Sequence, residues 1–404
     1  MHRCRRNNST RESCITTPKE THRTDKVLIV ADNVSALFGG EAFLPLHYFE
    51  VLRERSVDAH LLTHIRRRDE ISELFPDELE RIHYVADRPI QQQIWKLAVH
   101  MPTVVHEFTL AACSNFIQQH DMRSEAKRLV KLLGVTVVHQ PTPVTPRMPS
   151  AIYDVGAPVV IGPMNGNMRF PDGFGRFRTP AQRAIVHVVR QISELANILT
   201  PGKRRAATLL VANDRTEEGL PACCQGVPVR EMVENGVDLD RFTKVDRQPR
   251  VTNTLRLAFL GRLVDWKGVD LLLEALVGVD NVVLDILGDG EERASLETRA
   301  AVLGLKNVNF MGFVRQERAA AHLETVDALV LPSLYECGGA VVLEAMAKSL
   351  PVIATRWGGP ADYLDETCGI LVSPTNRDEF IGGLRAAIVK LANDPLLCVQ
   401  LGKA

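Results

Sequence analysis

The chain has 404 residues, with 48 Lys and Arg against 49 Asp and Glu, for a formal charge of -1. That balance points away from nucleic acid as a main partner, no apolar run approaches the ~20 residues of a membrane span, and the length suits two or three domains that each bury a core. The 8 cysteines are scattered without a Cys-x-x-Cys pair, which favours a reducing, cytoplasmic setting and no structural zinc.

Residues 1–25 are polar and basic, lack the apolar middle of a signal peptide, and read as a disordered extension. Lys26 to Ala31 (KVLIVA) reads as a buried strand, and the turn after it reaches Gly39 and Gly40 before a helix from about Glu41 to Arg53. Such a turn is either a phosphate-type βα turn or simply a tight connection. Val57 to Thr63 and Arg81 to Val85 read as further strands, and Gln91 to Gln119 mostly as helix, interrupted at Pro102. His60 and His64 lie in a strand with no acidic partner in view and read as structural. Val135 to His139 is a strand ending at a histidine, and ligands in open α/β sheets sit at the carboxyl ends of strands. His139 is therefore singled out, with a satisfied strand-end histidine as the plain alternative and His106, within helix, as the competitor.

Pro141 to Pro149 reads as an exposed loop and Pro158 to Gly162 as strand, while Asn165 either faces a ligand or serves its turn with Gly166. Thr179 to Thr200 is an amphipathic helix with Ile185, Val188, Val189, Ile192, Leu195 and Leu199 on one face. Its other face carries Arg183, Arg190 and Glu194, flanked by Arg176, Arg178 and Lys203-Arg204-Arg205. These bases form either a solvated face or a surface for anionic membrane. Leu209 to Val211 and Val229 to Val233 complete a first domain, 26–242. The polar stretch 243–254 is the expected linker to a second domain, 255–404.

The second domain opens with the strand Leu255 to Leu260. Arg262 and Lys267 follow, five apart across a strand-to-helix turn, so both can point at one ligand. Two cations that do not titrate near neutrality suit a diphosphate. Val282 to Leu287 leads into Gly288-Asp289-Gly290, and Val308 to Met311 into Gly312-Phe313-Val314. Ala328 to Thr355 is a βαβ unit: a short apolar strand, a loop with Tyr335 and Glu336, a helix opened by Gly338 and Gly339, and a second buried strand. Gly358 and Gly359 start another helix, and Gly369 to Val372 is the last strand. Free amides and the helix dipole at the glycine turn can hold an anion such as phosphate. Glu336 and Glu344 are at most roughly 12 Å apart at the helical rise, about the span between the two rings of a nucleotide sugar, so each acid can take the hydroxyls of one ring. The alternative is a solvated Glu344 and a dipole-favoured Glu336.

The tract ECGGAVVLEAMA from Glu336, the PVIA and Gly358-Gly359 that follow it, the Arg262–Lys267 pair and the ENGVD turn at Glu234 resemble the retaining glycosyltransferase family 4, over roughly Lys26 to Leu401. The resemblance, to bacterial surface-polysaccharide and lipid-linked glycan transferases, implies the GT-B fold: two Rossmann-like domains whose parallel sheets face across a cleft. It implies a nucleotide-diphosphate sugar as donor, a hexose transferred with retention to a hydroxyl of a glycan or lipid-linked acceptor, and no metal or further cofactor. By the same resemblance Glu336 holds the sugar, Glu344 the ribose, and Arg262, Lys267 and the amides of Gly338 and Gly339 the departing diphosphate. Gly39 and Gly40 close over it from the opposite domain, His139 lines the reaction centre, and Phe313 and Val314 border the base. The expected location is cytoplasmic or peripheral at the inner face of a membrane. A nucleotide-sugar epimerase, or a degenerate member that binds a nucleotide sugar without turnover, are the other readings. The chain departs from the family at Ser349, where glycine is usual and a left-handed non-glycine residue costs about 1 kcal/mol. It also ends at Ala404, where family members run on for another helix or two.

Overall fold

A computed structural model describes residues 25–36, 40–89, 91, 110–177 and 180–404, with side chains for all of these except 110–116 and 176–187. Gly39, His106 and most of the stretch expected as helix from Gln91 lie outside the described residues.

Seven parallel strands form the first sheet: β1 (Lys26–Val30), β2 (Asp58–His64), β3 (Ile82–Val85), β4 (Val137–Gln140), β5 (Val159–Met164), β6 (Thr208–Val211) and β7 (Val229–Glu231), in the order β3-β2-β1-β4-β5-β6-β7. Both faces are covered. Leu28 and Val30 pack into one core with Leu129, Val138 and Ile161, while Ile29 packs into a second with Phe49, Leu61 and Ile71. Burial on both sides is why these strands read as unbroken apolar runs. Six parallel strands form the second sheet: β8 (Leu255–Leu260), β9 (Val282–Leu287), β10 (Val308–Gly312), β11 (Ala328–Leu331), β12 (Val352–Thr355) and β13 (Gly369–Val372), in the order β10-β9-β8-β11-β12-β13. Strand order reverses between β1 and β4 and again between β8 and β11. The carboxyl ends at such switch points open the crevices where α/β sheets bind ligands.

The helices that matter for the site are α1 (Leu44–Glu54), α2 (Leu110–Leu133), α3 (Pro180–Leu199), α4 (Ala340–Ala347), α5 (Gly359–Tyr363) and α6 (Arg377–Asn393). Ser349, just beyond α4, sits at φ 54, the left-handed conformation foreseen for it.

Several features differ from the sequence reading. Helix α3 is turned the other way from an ordinary amphipathic helix: Val188, Val189, Ile192, Leu195, Ile198 and Leu199 are all exposed. Its polar side faces the protein, where Ser193 Oγ and Asn197 Nδ2 donate to the Arg147 carbonyl and Arg147 pairs with Glu194 at 2.6 Å. Of the bases around it, Arg190 is half-buried, Lys203 is buried and donates to the Pro146 carbonyl, Arg205 pairs with Asp154, and Arg204 is exposed, while Arg178 and the side chains of Arg176 and Arg183 lie outside the described residues. His60 and His64 do have acids near them, Asp58 at 3.6 Å and Asp87 at 3.2 Å.

A segment of the first half also runs into the second domain. Phe174 is 4% exposed inside the second domain's core, edge-on to Phe380 of α6 at 5.8 Å. Phe170 lies against Tyr335 with ring centroids 5.2 Å apart, and Trp357 Nε1 donates to the Arg169 carbonyl at 2.8 Å. The polar stretch after Phe242 is tied down as well. Arg247 donates to the carbonyls of Leu323, Val326 and Lys348, and Arg250 to that of Leu391.

Candidate active site

The site is built where the ends of β8, β11 and β12 converge. Gly268, at φ +67, lets the turn after β8 lie against β11, since a Cβ there would come within 2.4 Å of the Pro332 carbonyl oxygen. This close approach carries Lys267 to the loop after β11, where its ammonium forms an ion pair with the Glu336 carboxylate. The two side chains are only 16% and 14% exposed. Partial desolvation strengthens such a pair, and leaves either charge poorly compensated if its partner turns to another ligand.

Two helix starts flank Glu336. No side chain caps α4 at Gly339, so its first amides are left for another acceptor. The Glu336 carbonyl accepts from the Gly359 amide at 2.9 Å. Gly358 makes room for that bond, because at φ +65 a Cβ would fall 2.2 Å from the Glu336 oxygen. From the first half, Asn235 reaches across: a Cβ on Gly338 would lie 1.9 Å from Asn235 Nδ2, which also donates to Tyr363 at 3.3 Å. Beside it Arg215 pairs with Asp362 of α5 at 3.0 Å.

The other second-domain candidates stand around this centre. Arg262 is exposed, with no ion pair described for it. Glu344, half-buried on α4, accepts from Gln316 Nε2 at 3.1 Å; burial raises its pKa, against the pull of that bond and of Arg241. Phe313 is 76% exposed at the end of β10, and Val314 packs partly against the second domain's core.

On the first-domain side His139 is buried at the end of β4, its Nε2 2.7 Å from the Gly162 carbonyl and its ring edge-on to Tyr48 at 4.7 Å. Burial holds its pKa below the ordinary 6.5, so the imidazole is neutral. The carbonyl contact is the kind a satisfied strand-end histidine makes. Gly40, at φ 68, opens the turn before α1.

Three acids at this edge were not singled out from the sequence. Glu41 accepts from the Val144 amide at 2.9 Å, and Glu234 accepts from Asn165 Nδ2 at 2.7 Å. Burial raises the pKa of both, and that of Asp32. Cys337 is pushed up to about 11, by burial and then by the charges of Glu336 and Glu234, which places Glu234 beside the Glu336 loop. The one sequence signal was Glu234's place in the ENGVD turn.

Two Rossmann-like domains of parallel strands with their switch-point edges around one centre define the GT-B fold, and solved structures agree. The chain superposes over 94% of its length on 94% of the lipopolysaccharide outer core galactosyltransferase WaaB in its apo form, at TM-score 0.63 and 17% identity. Sucrose-phosphate synthase from Thermosynechococcus elongatus gives 0.60 at 19% identity, over 94% of this chain and 92% of that one. Anabaena HepE in complex with UDP gives 0.57 at 15% identity, over 94% of each chain. Within that fold, residues 240–403 match the family described as Glycosyl transferases group 1. Among curated proteins, the lipopolysaccharide core biosynthesis glycosyltransferase LpsE of Rhizobium meliloti is 35% identical over 176 residues, 43% of this chain and 50% of that protein. A D-inositol 3-phosphate glycosyltransferase of Geodermatophilus obscurus is 33% identical over 207 residues, 46% of each chain. The chain thus matches half or less of the length of these relatives.

Proposed function

We propose that the protein is a retaining glycosyltransferase that moves a hexose from a nucleotide-diphosphate sugar to a hydroxyl of a glycan or lipid-linked acceptor, in surface-polysaccharide synthesis. The observation that carries this reading is the Lys267–Glu336 pair set against the uncapped start of α4, with Glu344 on the same helix. A donor entering there places its diphosphate at the amides of Gly338 and Gly339. Lys267 and Arg262 then meet the charge that grows as the glycosyl bond breaks, so the reading needs no metal. Glu336, released by Lys267, accepts from the sugar hydroxyls, Glu344 from the ribose, and Phe313 and Val314 flank the base. The acceptor hydroxyl attacks the anomeric carbon on the face the diphosphate leaves, and its proton passes to the leaving phosphate oxygen. Gly40 belongs to the loop that covers the diphosphate, and His139 to the wall beside the sugar.

The reading is supported by the match of residues 240–403 to group 1 transferases and by the lipopolysaccharide core enzymes among the relatives. No helix among the described residues is long and apolar enough to cross a membrane. In this reading a lipid-linked acceptor is met by peripheral contact with an anionic membrane, in the cytoplasm.

The test is thermal stabilisation by a panel of nucleotide diphosphates and their sugars, followed by transfer assays with the nucleotide that binds. Binding raises the melting temperature by mass action, and the Arg262→Ala, Lys267→Ala double variant should lose that rise. Glu336→Gln should keep nucleotide binding and lose at least about 10²-fold in transfer. Turnover unchanged by Glu336→Gln would remove the role given to it. Donor binding without transfer to any acceptor would leave the non-catalytic reading.

A further inference from the structure

The inverted helix α3 calls for a partner. Along its outward face Val188 is 55% exposed, Ile192 61%, Leu195 57% and Leu199 73%, with Val189 and Ile198 beside them at 37% and 49%. These six side chains form one apolar patch of roughly 500 Å², as large as the largest on an ordinary monomer. The helix is not free to roll and bury that patch. Ser193, Glu194 and Asn197, on the opposite side, are fixed to Arg147 by hydrogen bonds and an ion pair.

The spacing says what kind of partner fits. Val188, Ile192, Leu195 and Leu199 are separated by four, three and four residues, and the sequence continues the pattern upstream through Ile185 and Ala181. That is a heptad seam, with Ile192 and Leu199 at one core position and Val188 and Leu195 at the other, the pattern by which one helix packs along another. A helix lying in a lipid interface carries Lys and Arg along its polar face. Here Ser193, Glu194 and Asn197 of the polar face are spent on the protein itself, and the whole chain has a formal charge of only -1. Pairing two copies of the patch buries about 1,000 Å², the lower bound for a specific interface.

We propose that α3 is the contact of a homodimer, in which the outward seam of one copy packs on the same seam of a second about a twofold axis. A self-complementary stripe is what such an isologous contact requires. The dimer would also brace the loop that α3 holds, since Arg147 lies three residues beyond Val144, whose amide meets Glu41.

The experiment is sedimentation of the full chain over a wide concentration range, for the native protein, Ile192→Glu, Leu195→Glu and, as a control, Leu132→Glu. Leu132 is 66% exposed on α2, away from the seam. The native chain and the control should sediment at twice the mass of one chain. The two seam variants should fall to single-chain mass with unchanged circular dichroism, because in the monomer the replaced side chains are already in water. A native chain that is monomeric throughout, or a dimer that survives both seam substitutions, overturns the proposal. Flotation with phosphatidylglycerol–phosphatidylcholine vesicles completes the test. A native monomer that floats, and an Ile192→Glu variant that does not, would make a lipid surface the occupant and would equally overturn the homodimer.

Discussion

Lys267 and Glu336 neutralise each other, which lets two mostly buried charges stay within the folded protein. Removing one partner strands the other in a site where both are mostly buried. Lys267→Ala should therefore destabilise the second domain by about 1–3 kcal/mol as well as weaken nucleotide binding, a double effect visible in urea unfolding with and without ligand. His139 makes a pH prediction. Its folded pKa lies below 6.5 because burial disfavours the cation, so below pH 6.5 the unfolded chain binds more protons than the folded one and stability falls as pH falls. The stability advantage of the native protein over His139→Gln should shrink by up to about 1.4 kcal/mol for each pH unit below 6.5, a difference in which the other titrating groups cancel. Ser349, held at φ 54, should be improved by glycine: Ser349→Gly is expected to gain about 0.5–1 kcal/mol, read as a higher urea midpoint.

At the scale of elements, the glycine turns after β8 and β9 act as one piece. A Cβ on Gly288, at φ +148, would stand 1.9 Å from the Gly261 carbonyl oxygen, so Gly288→Ala must push the two turns apart. The expected cost is about 2 kcal/mol or more. Because Gly261 precedes Arg262, nucleotide-induced stabilisation should weaken with it in the same thermal scans. The βαβ unit around Glu336 was legible because parallel strands buried on both faces announce themselves as apolar runs and glycines mark the helix start. The Arg262 and Lys267 turn was legible for the same reason. The orientation of α3 was not, because a period of 3.6 identifies an apolar face without saying whether protein or solvent lies beyond it. Nor was the acid edge of Glu41, Glu234 and Asp32, which exists only because the turn after β1, carrying Asp32 and Glu41, meets the segment after β7, carrying Glu234.

For the whole molecule the least legible feature is Phe174. It stands between Gly173 and Gly175, and nothing local says that it fills a hole in the other domain. Truncating it should cost about 3 kcal/mol, as for other buried aromatics, and calorimetry of Phe174→Ala should show the loss in the second domain although the change is made in the first. This bears on how freely such halves can be exchanged. A chimera that joins residues 240–403 to a foreign first half would inherit Arg262, Lys267, Glu336 and Glu344 intact, yet would carry a vacancy beside Phe380 unless the new half supplies an aromatic plug at the same place. The unit of recombination is therefore the second domain together with its borrowed phenylalanine, and a boundary drawn from sequence similarity alone cuts through it.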